Sequence, residues 1–416
     1  MLILNPTIDS EPDVAVATIT HRVPDDMLTE IFLHYVERDV FAPQPTWVDV
    51  NNAWVLARVC RRWRDVALSS PRLWCCILGW LDKINKLARF KRILIITLRR
   101  AKCVPLSIRL EGPHIHRALD QLLAVGPQWK EVALVQPTEV LLRGLAKEGL
   151  IFSSLKKLQV TSSGQFLAKG LFHVDLRQSM PSLEHLIWDV DSGLYPWELQ
   201  LPWSQLRTCV IRGVRSTDFL YILSLLAAGT HVSAVNVRDV DAVATRTEIA
   251  SLSIDSATFR RPILLHLVAP ALRKLVVNHR NDGEAESHWK QIISLLNNSG
   301  CPVTHLRIQS SMGPTLKTQQ LLNIIKFPRG QDLVRLDVYY TTDLPALLRT
   351  LANKDEWVPN LRTLALVGVG EDVMAILADR NPVVRILEFS EWEWDFPEEP
   401  VVGGLDVVVF RRPYFV

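Results

Sequence analysis

Cysteine is scarce in this sequence and badly placed for cross-linking. Six thiols in 416 residues, Cys60, Cys75, Cys76, Cys103, Cys209 and Cys301, form no C-x-x-C pair and no regular spacing. Neither a disulfide framework nor a zinc site is expected, and the six read as buried thiols of a reducing compartment. Charge of one sign is also lacking. Lys and Arg number 47 against 44 Asp and Glu, a net +3, which argues against bulk attraction to nucleic acid or to an anionic membrane. No run reaches the roughly 18 apolar residues of a membrane-spanning helix. The opening MLILNPTIDSEPDV has no basic start of the kind a secretory signal carries. A cytoplasmic or nuclear setting is expected.

Chemical motifs are missing too. There is no G-x-S-x-G, no Walker loop and no H-E-x-x-H. Gly368-Val369-Gly370 has Val373 where a dinucleotide loop needs its third glycine. His114 and His116 flank Ile115 without Cys or acidic partners at ligand spacing. No catalytic residue, cofactor or metal ligand is therefore assigned, and the chain is expected not to be an enzyme.

What is present begins with Leu56 to Trp74. Leu56, Val59, Cys60, Trp63, Val66 and Ala67 recur at three- and four-residue spacing, which predicts one face of a helix, with Arg58, Arg61, Arg62, Arg64 and Asp65 opposite. Ser69-Ser70-Pro71 then offers a cap serine and a proline at a first helical position. A second short helix should turn Leu73, Trp74, Ile77 and Leu78 inward. Upstream, Val23-Pro24-Asp25-Asp26 starts another helix whose apolar face is Met27, Leu28, Ile31, Phe32 and Tyr35. Three short helices with such wide apolar faces cannot all be satisfied by one another, so some of that surface should meet a partner.

These residues carry a resemblance. Val23-Pro24, Met27-Leu28, Ile31-Phe32, the run Val59 to Arg64 and the closing Leu73-Trp74 resemble the F-box, the module that docks substrate receptors onto the Skp-type adaptor of SCF ubiquitin ligases. The segment 38–51, with Pro43, Pro45 and Asn51, is longer than the usual link between its first two helices, as in the F-box proteins of mushroom-forming fungi. The resemblance implies an adaptor-binding set of Pro24, Leu28, Ile31, Leu56, Val59, Cys60, Trp63, Leu73 and Trp74. It also implies partners beyond the adaptor: a cullin, a RING subunit and a protein substrate.

Downstream, Leu87, Phe90, Ile93, Leu94 and Leu98 predict a helix. Lys83 to Arg109 carries Lys or Arg at 83, 86, 89, 91, 92, 99, 100, 102 and 109 and no acid. This reads as the solvated side of a connecting helix, with a phosphate-binding patch, and hence a nucleic-acid-contacting protein, as the rival.

From Trp129 onward the phrase apolar-x-x-apolar-x-apolar recurs, starting at Trp129, Leu155, Leu183, Leu206, Val232, Ile249, Leu272, Val303, Leu333, Leu361 and Val384. Helix-like stretches intervene at Thr217–Ala228, Ser287–Asn298, Thr315–Phe327 and Glu371–Ala378, and a strand and a helix per step mark a solenoid. The phrase resembles the strand consensus of leucine-rich repeats. The Asn or Cys normal at the ninth position of that consensus is not kept; the position reads Pro137, Ser163, Asp191, Val214, Val240, Ala257, Arg280, Ser311, Thr341, Val369 and Trp392. Buried turns must then satisfy their backbone by other means, and the curvature should be irregular.

The expected fold is α/β: a short helical F-box module followed by an irregular leucine-rich repeat solenoid with a parallel, curved sheet. The divisions are 1–20, a mobile lead-in; 21–80, the F-box-like module; 81–128, a basic connector with a first divergent repeat at Pro105 to Leu110; 129–390, the solenoid; and 391–416, a cap containing Glu391–Phe396 and Val407–Phe410. By strand alternation the concave face should carry Lys157, Gln159, His185, Arg212, Arg238, Lys274, His305, Arg307, Arg335 and Tyr339, opposed by Asp189, Asp255 and Asp337. That mostly basic set would suit an acidic or phosphorylated segment. The function implied by the resemblance is substrate recognition for a ubiquitin ligase. The alternative is a repeat scaffold with no ligase role.

Overall fold

A computed structural model describes residues 23–36, 40–41, 52–81, 83–163, 173–192, 195–238, 244–255, 263–279, 285–310, 318–325, 330–339, 358–367, 383–388 and 406–411. The lead-in 1–20, the helix-like Glu371–Ala378 and the cap residues Glu391–Phe396 lie outside these. The chain divides into two compact units, Met1–Lys156 and Lys157–Val416.

The first unit opens with helix α1 (Asp25–Val36), whose Asp25 and Asp26 occupy the first turn, where the helix dipole favours negative charge. Its inward residues are Leu28, Phe32 and Val36. Helices α2 (Asn52–Val59) and α3 (Arg61–Ser69) follow. The single helix expected through this stretch is broken at Cys60, which is extended (φ −151°, ψ 174°) and caps α3 by accepting a hydrogen bond on Sγ from the Trp63 N–H at 3.4 Å. The break decides burial. Leu56, Ala57, Val66 and Ala67 turn inward, while Val59 and Cys60 swing out to solvent.

Ser70 and Pro71 start a 3₁₀ turn, Pro71–Trp74, with proline in its first turn as the sequence suggested. That turn ends at Trp74, so Ile77 and Leu78 belong not to a helix but to strand β1 (Cys76–Trp80). Strand β1 pairs in parallel with β2 (Leu106–Glu111), and β2 with β3 (Trp129–Val135). Between β1 and β2 runs α4 (Leu87–Ala101), and the short helices α5 (Leu119–Leu123) and α6 (Glu139–Leu145) complete the unit. Gly79 lets α4 approach β1, because a Cβ there would stand 3.1 Å from the Phe90 ring.

The packing runs across the boundary expected at residue 80, within the unit Met1–Lys156. Residue 80 ends a strand of the sheet, and the last turn of α4 sends Arg100 to within 4.3 Å of the centroids of both Trp54 and Trp74. Those two indoles meet edge to face at 5.1 Å. The link 38–51 is described only at Val40 and Phe41, where the Val40 carbonyl accepts a hydrogen bond from the buried Arg109 guanidinium at 3.1 Å. The helical module and the first strands thus share one core, since the apolar residues left over by α2 and the 3₁₀ turn are closed over by α4.

In the second unit the strands are β4 (Lys157–Ser163), β5 (His185–Ser192), β6 (Thr208–Arg212), β7 (His231–Val235), β8 (Ser251–Asp255), β9 (Lys274–His279), β10 (His305–Ser310), β11 (Arg335–Tyr339), β12 (Thr363–Val367), β13 (Val383–Glu388) and β14 (Asp406–Arg411). They pair in parallel in chain order up to β12, after which β14 is inserted between β12 and β13. The phrase from Leu155 on places its second and third apolar positions on these strands in register, with two exceptions. At Val232 the sheet aligns Val232 and Ala234 rather than Val235 and Val237, and Val384 takes the second position rather than the first. Register aligns the apolar positions into two rows, Leu158, Leu186, Cys209, Val232, Leu252, Leu275, Leu306, Leu336, Leu364 and Val160, Trp188, Ile211, Ala234, Ile254, Val277, Ile308, Val338. All are buried and form the spine of the core. The chain is a mixed α/β protein with a long parallel sheet, in the manner of a repeat solenoid.

Among the described residues, some repeats return through a helix and others do not. Helices α7 (Ser216–Leu225), α8 (Ala285–Ser299) and α9 (Thr318–Ile325) stand where the sequence placed helices. Elsewhere two-residue strands pair across repeats, Val174–Asp175 with Leu199–Gln200 and Thr245–Arg246 with Leu267–Val268. Scattered hydroxyls replace a polar ladder. Thr230 donates to the Leu206 carbonyl at 2.9 Å and Thr247 to the Leu223 carbonyl at 2.7 Å, while Ser299 Oγ accepts from the Ala269 N–H at 2.9 Å.

Among the described residues, no helix is long and apolar enough to cross a membrane, and no group of three or more His, Cys, Asp or Glu could hold a metal ion. The thiols are less uniform than expected: Cys209 and Cys301 are buried, Cys75 and Cys76 half-buried, and Cys60 and Cys103 exposed. Burial pushes the Cys209 thiol up to about 12, so it stays a neutral packing group.

Candidate protein-interaction surfaces

On α1 the apolar face expected from sequence is split into two. Leu28 and Phe32 go to the core at 3% and 1% exposure, while Met27, Ile31 and Tyr35, four residues apart in turn, form an outward stripe in which Ile31 is 53% exposed. Helix α2 adds Val55 and Val59, the latter 58% exposed, and Pro24 and Cys60 are also at the surface. Charged pairs fasten α1 beneath this stripe. Arg62 of α3 binds Asp25 at 2.6 Å and also donates to the Val23 carbonyl, and Arg72 binds Glu30 at 3.0 Å.

This arrangement divides the residues expected to face a partner into buried and exposed ones. Leu28, Leu56, Leu73 and Trp74 are all at most 5% exposed and belong to the interior of the first unit. Trp74 also donates its indole N–H to the Ala67 carbonyl at 2.8 Å. Trp63 is half-buried with its ring 4.8 Å from Phe32, and its indole N–H is buried with no hydrogen-bond partner. Pro24, Ile31, Val59 and Cys60 do face solvent. Met27, Tyr35 and Val55, which were absent from the set, are exposed beside them; the α1 periodicity contained Met27 and Tyr35, but it could not tell the inner half of a wide apolar face from the outer.

The basic strip is likewise divided. Arg100 is taken up between the two tryptophans, where burial pushes its pKa down, and Arg109 is buried and paired with Glu111 at 3.2 Å. Lys83, Lys86, Arg89, Arg92, Arg99 and Lys102 are exposed. Lys86 lies 5.0 Å over the Trp80 ring.

On the second unit, strand register puts Lys157, His185, Thr208, His231, Ser251, Lys274, His305, Arg335 and Thr363 in one row. Gln159, Arg307 and Asp337 stand in the next row, and Asp189 beside Arg212 in a third. The row is less basic than counting suggested. Arg335 is bound at 2.9 Å to Asp337, which is itself buried, and Arg307 is the cross-strand neighbour of the same carboxylate. Thr208 Oγ1 and His185 Nδ1 are 2.7 Å apart. Arg238 is not on the sheet face but in a loop, where it bridges Arg215, and the Tyr339 side chain lies outside the described residues. Arg212 and Lys274 remain exposed. The loss has a simple cause: an i, i+2 pair on a strand shares a face, so Arg335 and Asp337 find each other.

No protein-family model matches the chain, and no curated protein does. Among solved structures it is similar to the crystal structure of the Rad7 and Elc1 complex in yeast, at 14% sequence identity and a TM-score of 0.35, over 96% of this chain and 98% of that one. A likeness this remote carries no argument about function.

Proposed function

We propose that the chain is a non-catalytic substrate-recognition subunit of an SCF-type ubiquitin ligase, acting in the cytoplasm or nucleus. Its helical module would dock on the Skp-type adaptor, and through it on the cullin and RING subunit, while the repeat unit holds a target protein. The observation that carries this reading is the outward stripe Met27, Ile31 and Tyr35, joined by Val55 and Val59, on the module whose sequence resembles an F-box. Large apolar side chains half exposed at helical spacing leave area that is stabilised by leaving water, at about 25 cal/mol per Å².

The test is co-purification of the full chain with the adaptor and cullin. Ile31→Glu combined with Val59→Glu should abolish capture while leaving the thermal transition in place, because both side chains are already in solvent. Unchanged capture by this variant, or none by the wild type, would sink the proposal. Capture of the adaptor without the cullin would favour the scaffold reading instead.

A further inference from the structure

A different surface, on the second unit, also stands out of the packing. The turn Tyr195-Pro196-Trp197-Glu198 follows β5 and is fixed at both ends: the Glu198 carboxylate accepts the Tyr195 N–H at 2.9 Å, and the Glu198 N–H donates to the Tyr195 carbonyl at 3.0 Å. Leu199–Gln200 then enters a parallel pair with Val174–Asp175. Held in this way, Tyr195 and Trp197 stack at 4.6 Å and 7°, and Tyr221 of α7 meets Trp197 edge to face at 5.9 Å. At the other end, the Arg215 guanidinium stands 5.9 Å from the Tyr195 centroid. The ladder is built, yet it is open to solvent: Trp197 is 43% and Tyr221 39% exposed.

Its hydrogen-bonding capacity leans towards donors, since the indole and the guanidinium only donate while the two tyrosine hydroxyls can do either. Among the described residues the Trp197 indole N–H and the Tyr195 and Tyr221 hydroxyls have no hydrogen-bond partner, and Arg215 makes no ion pair within 4 Å, although its charge is felt by the Asp218 carboxylate. A ligand suited to this edge is apolar in body, rich in acceptors and negative at one end. A polyproline II segment fits, since it makes no internal hydrogen bonds, leaves its carbonyls free and packs pyrrolidine rings on aromatic side chains. A carboxylate beside the prolines answers Arg215. Nucleic acid fits less well, because base stacking needs free ring faces and Tyr195 and Trp197 have turned theirs on each other, whereas pyrrolidine rings can lie across the exposed edges of the stack.

We propose that Tyr195, Trp197, Tyr221 and Arg215 form a docking site for a proline-rich, acid-flanked segment of a partner protein. The site does not depend on the ligase reading. The experiment is a fluorescence-anisotropy titration of the full chain with a labelled oligoproline peptide ending in two glutamates. Controls are the same peptide ending in two lysines, a glycine-serine peptide and an oligouridylate. The glutamate peptide should bind best. Trp197→Ala should weaken it by about tenfold or more, as truncating an interface anchor does. Arg215→Glu should reverse the preference between the acidic and basic peptides. Both side chains are exposed, so circular dichroism should be unchanged in both variants and the thermal transition unchanged in Trp197→Ala. Arg215→Glu, whose site faces Asp218, is compared at about pH 5, where that carboxyl is largely protonated. Equal binding of the oligoproline and glycine-serine peptides, undiminished binding by a folded Trp197→Ala, or tighter binding of the oligouridylate would each overturn the proposal.

Discussion

Asp218 should make the second unit weaker as the pH rises, and replacing it should remove that weakness. It sits in the first turn of α7 with 7% of its surface exposed, and one carboxylate oxygen is buried without a hydrogen-bond partner. Burial pushes its pKa from 3.8 to about 6, against the pull of the Arg215 charge and the Thr217 hydroxyl. The folded state therefore holds this proton more tightly than the unfolded chain does. The stability this confers is complete below about pH 4 and is lost as the pH climbs through 6. A rise of about two pKa units, at about 1.36 kcal/mol each, corresponds to about 3 kcal/mol. Asn has the same shape and no charge to desolvate, so Asp218→Asn should match the wild type near pH 4 and exceed it by about 2 to 3 kcal/mol at pH 7.5. Urea unfolding followed by tryptophan fluorescence at a series of pH values measures this directly. A stability difference that does not change with pH, or an asparagine variant weaker at pH 7.5, would refute the reasoning.

Trp74→Ala removes a 2%-exposed indole, its hydrogen bond to Ala67 and one of the two rings around Arg100. It should destabilise the first unit by about 3 to 5 kcal/mol, read as a lower urea midpoint, and should be far worse than Trp74→Phe. A chain begun at residue 81 loses β1 and uncovers the edge of β2 and the inner face of α4. It should aggregate or be cleaved quickly by protease where a chain begun at residue 21 resists; a stable, monomeric fragment would support the boundary at residue 80.

The repeated phrase is the part of the fold that sequence conveys most directly. A strand alternates its side chains, so an apolar residue two positions after another must share its face, and Leu158 with Val160 or Leu275 with Val277 define inward rows without any knowledge of neighbours. Helix starts were similarly local: the acids of α1 and the proline of the 3₁₀ turn stabilise the very residues that carry them. Local pattern failed where two structures satisfy the same spacing. Val59, Cys60 and Trp63 fit one helix as well as two, and only the extended backbone at Cys60 separates them. Ile77 and Leu78 fit a helix face or a strand, and pairing with Ile108 and Arg109 chose the strand.

The candidate surfaces depended still more on partners distant in the chain. Sequence by itself determined that α1 has more apolar surface than one side can bury, since that follows from composition and period. Which half is left outside was decided by Phe32 meeting Trp63 and by Arg62 reaching Asp25. Arg335 counts as a free cation in any list of positions, but it is neutralised once its strand brings Asp337 to the same face. The Tyr195, Trp197, Tyr221 and Arg215 ladder has no period at all, because it joins a turn to a helix that follows the next strand. Periodicity records what a residue's own element demands of it. Exposure and charge pairing are set by which other elements arrive, and that is fixed only when the chain has closed on itself.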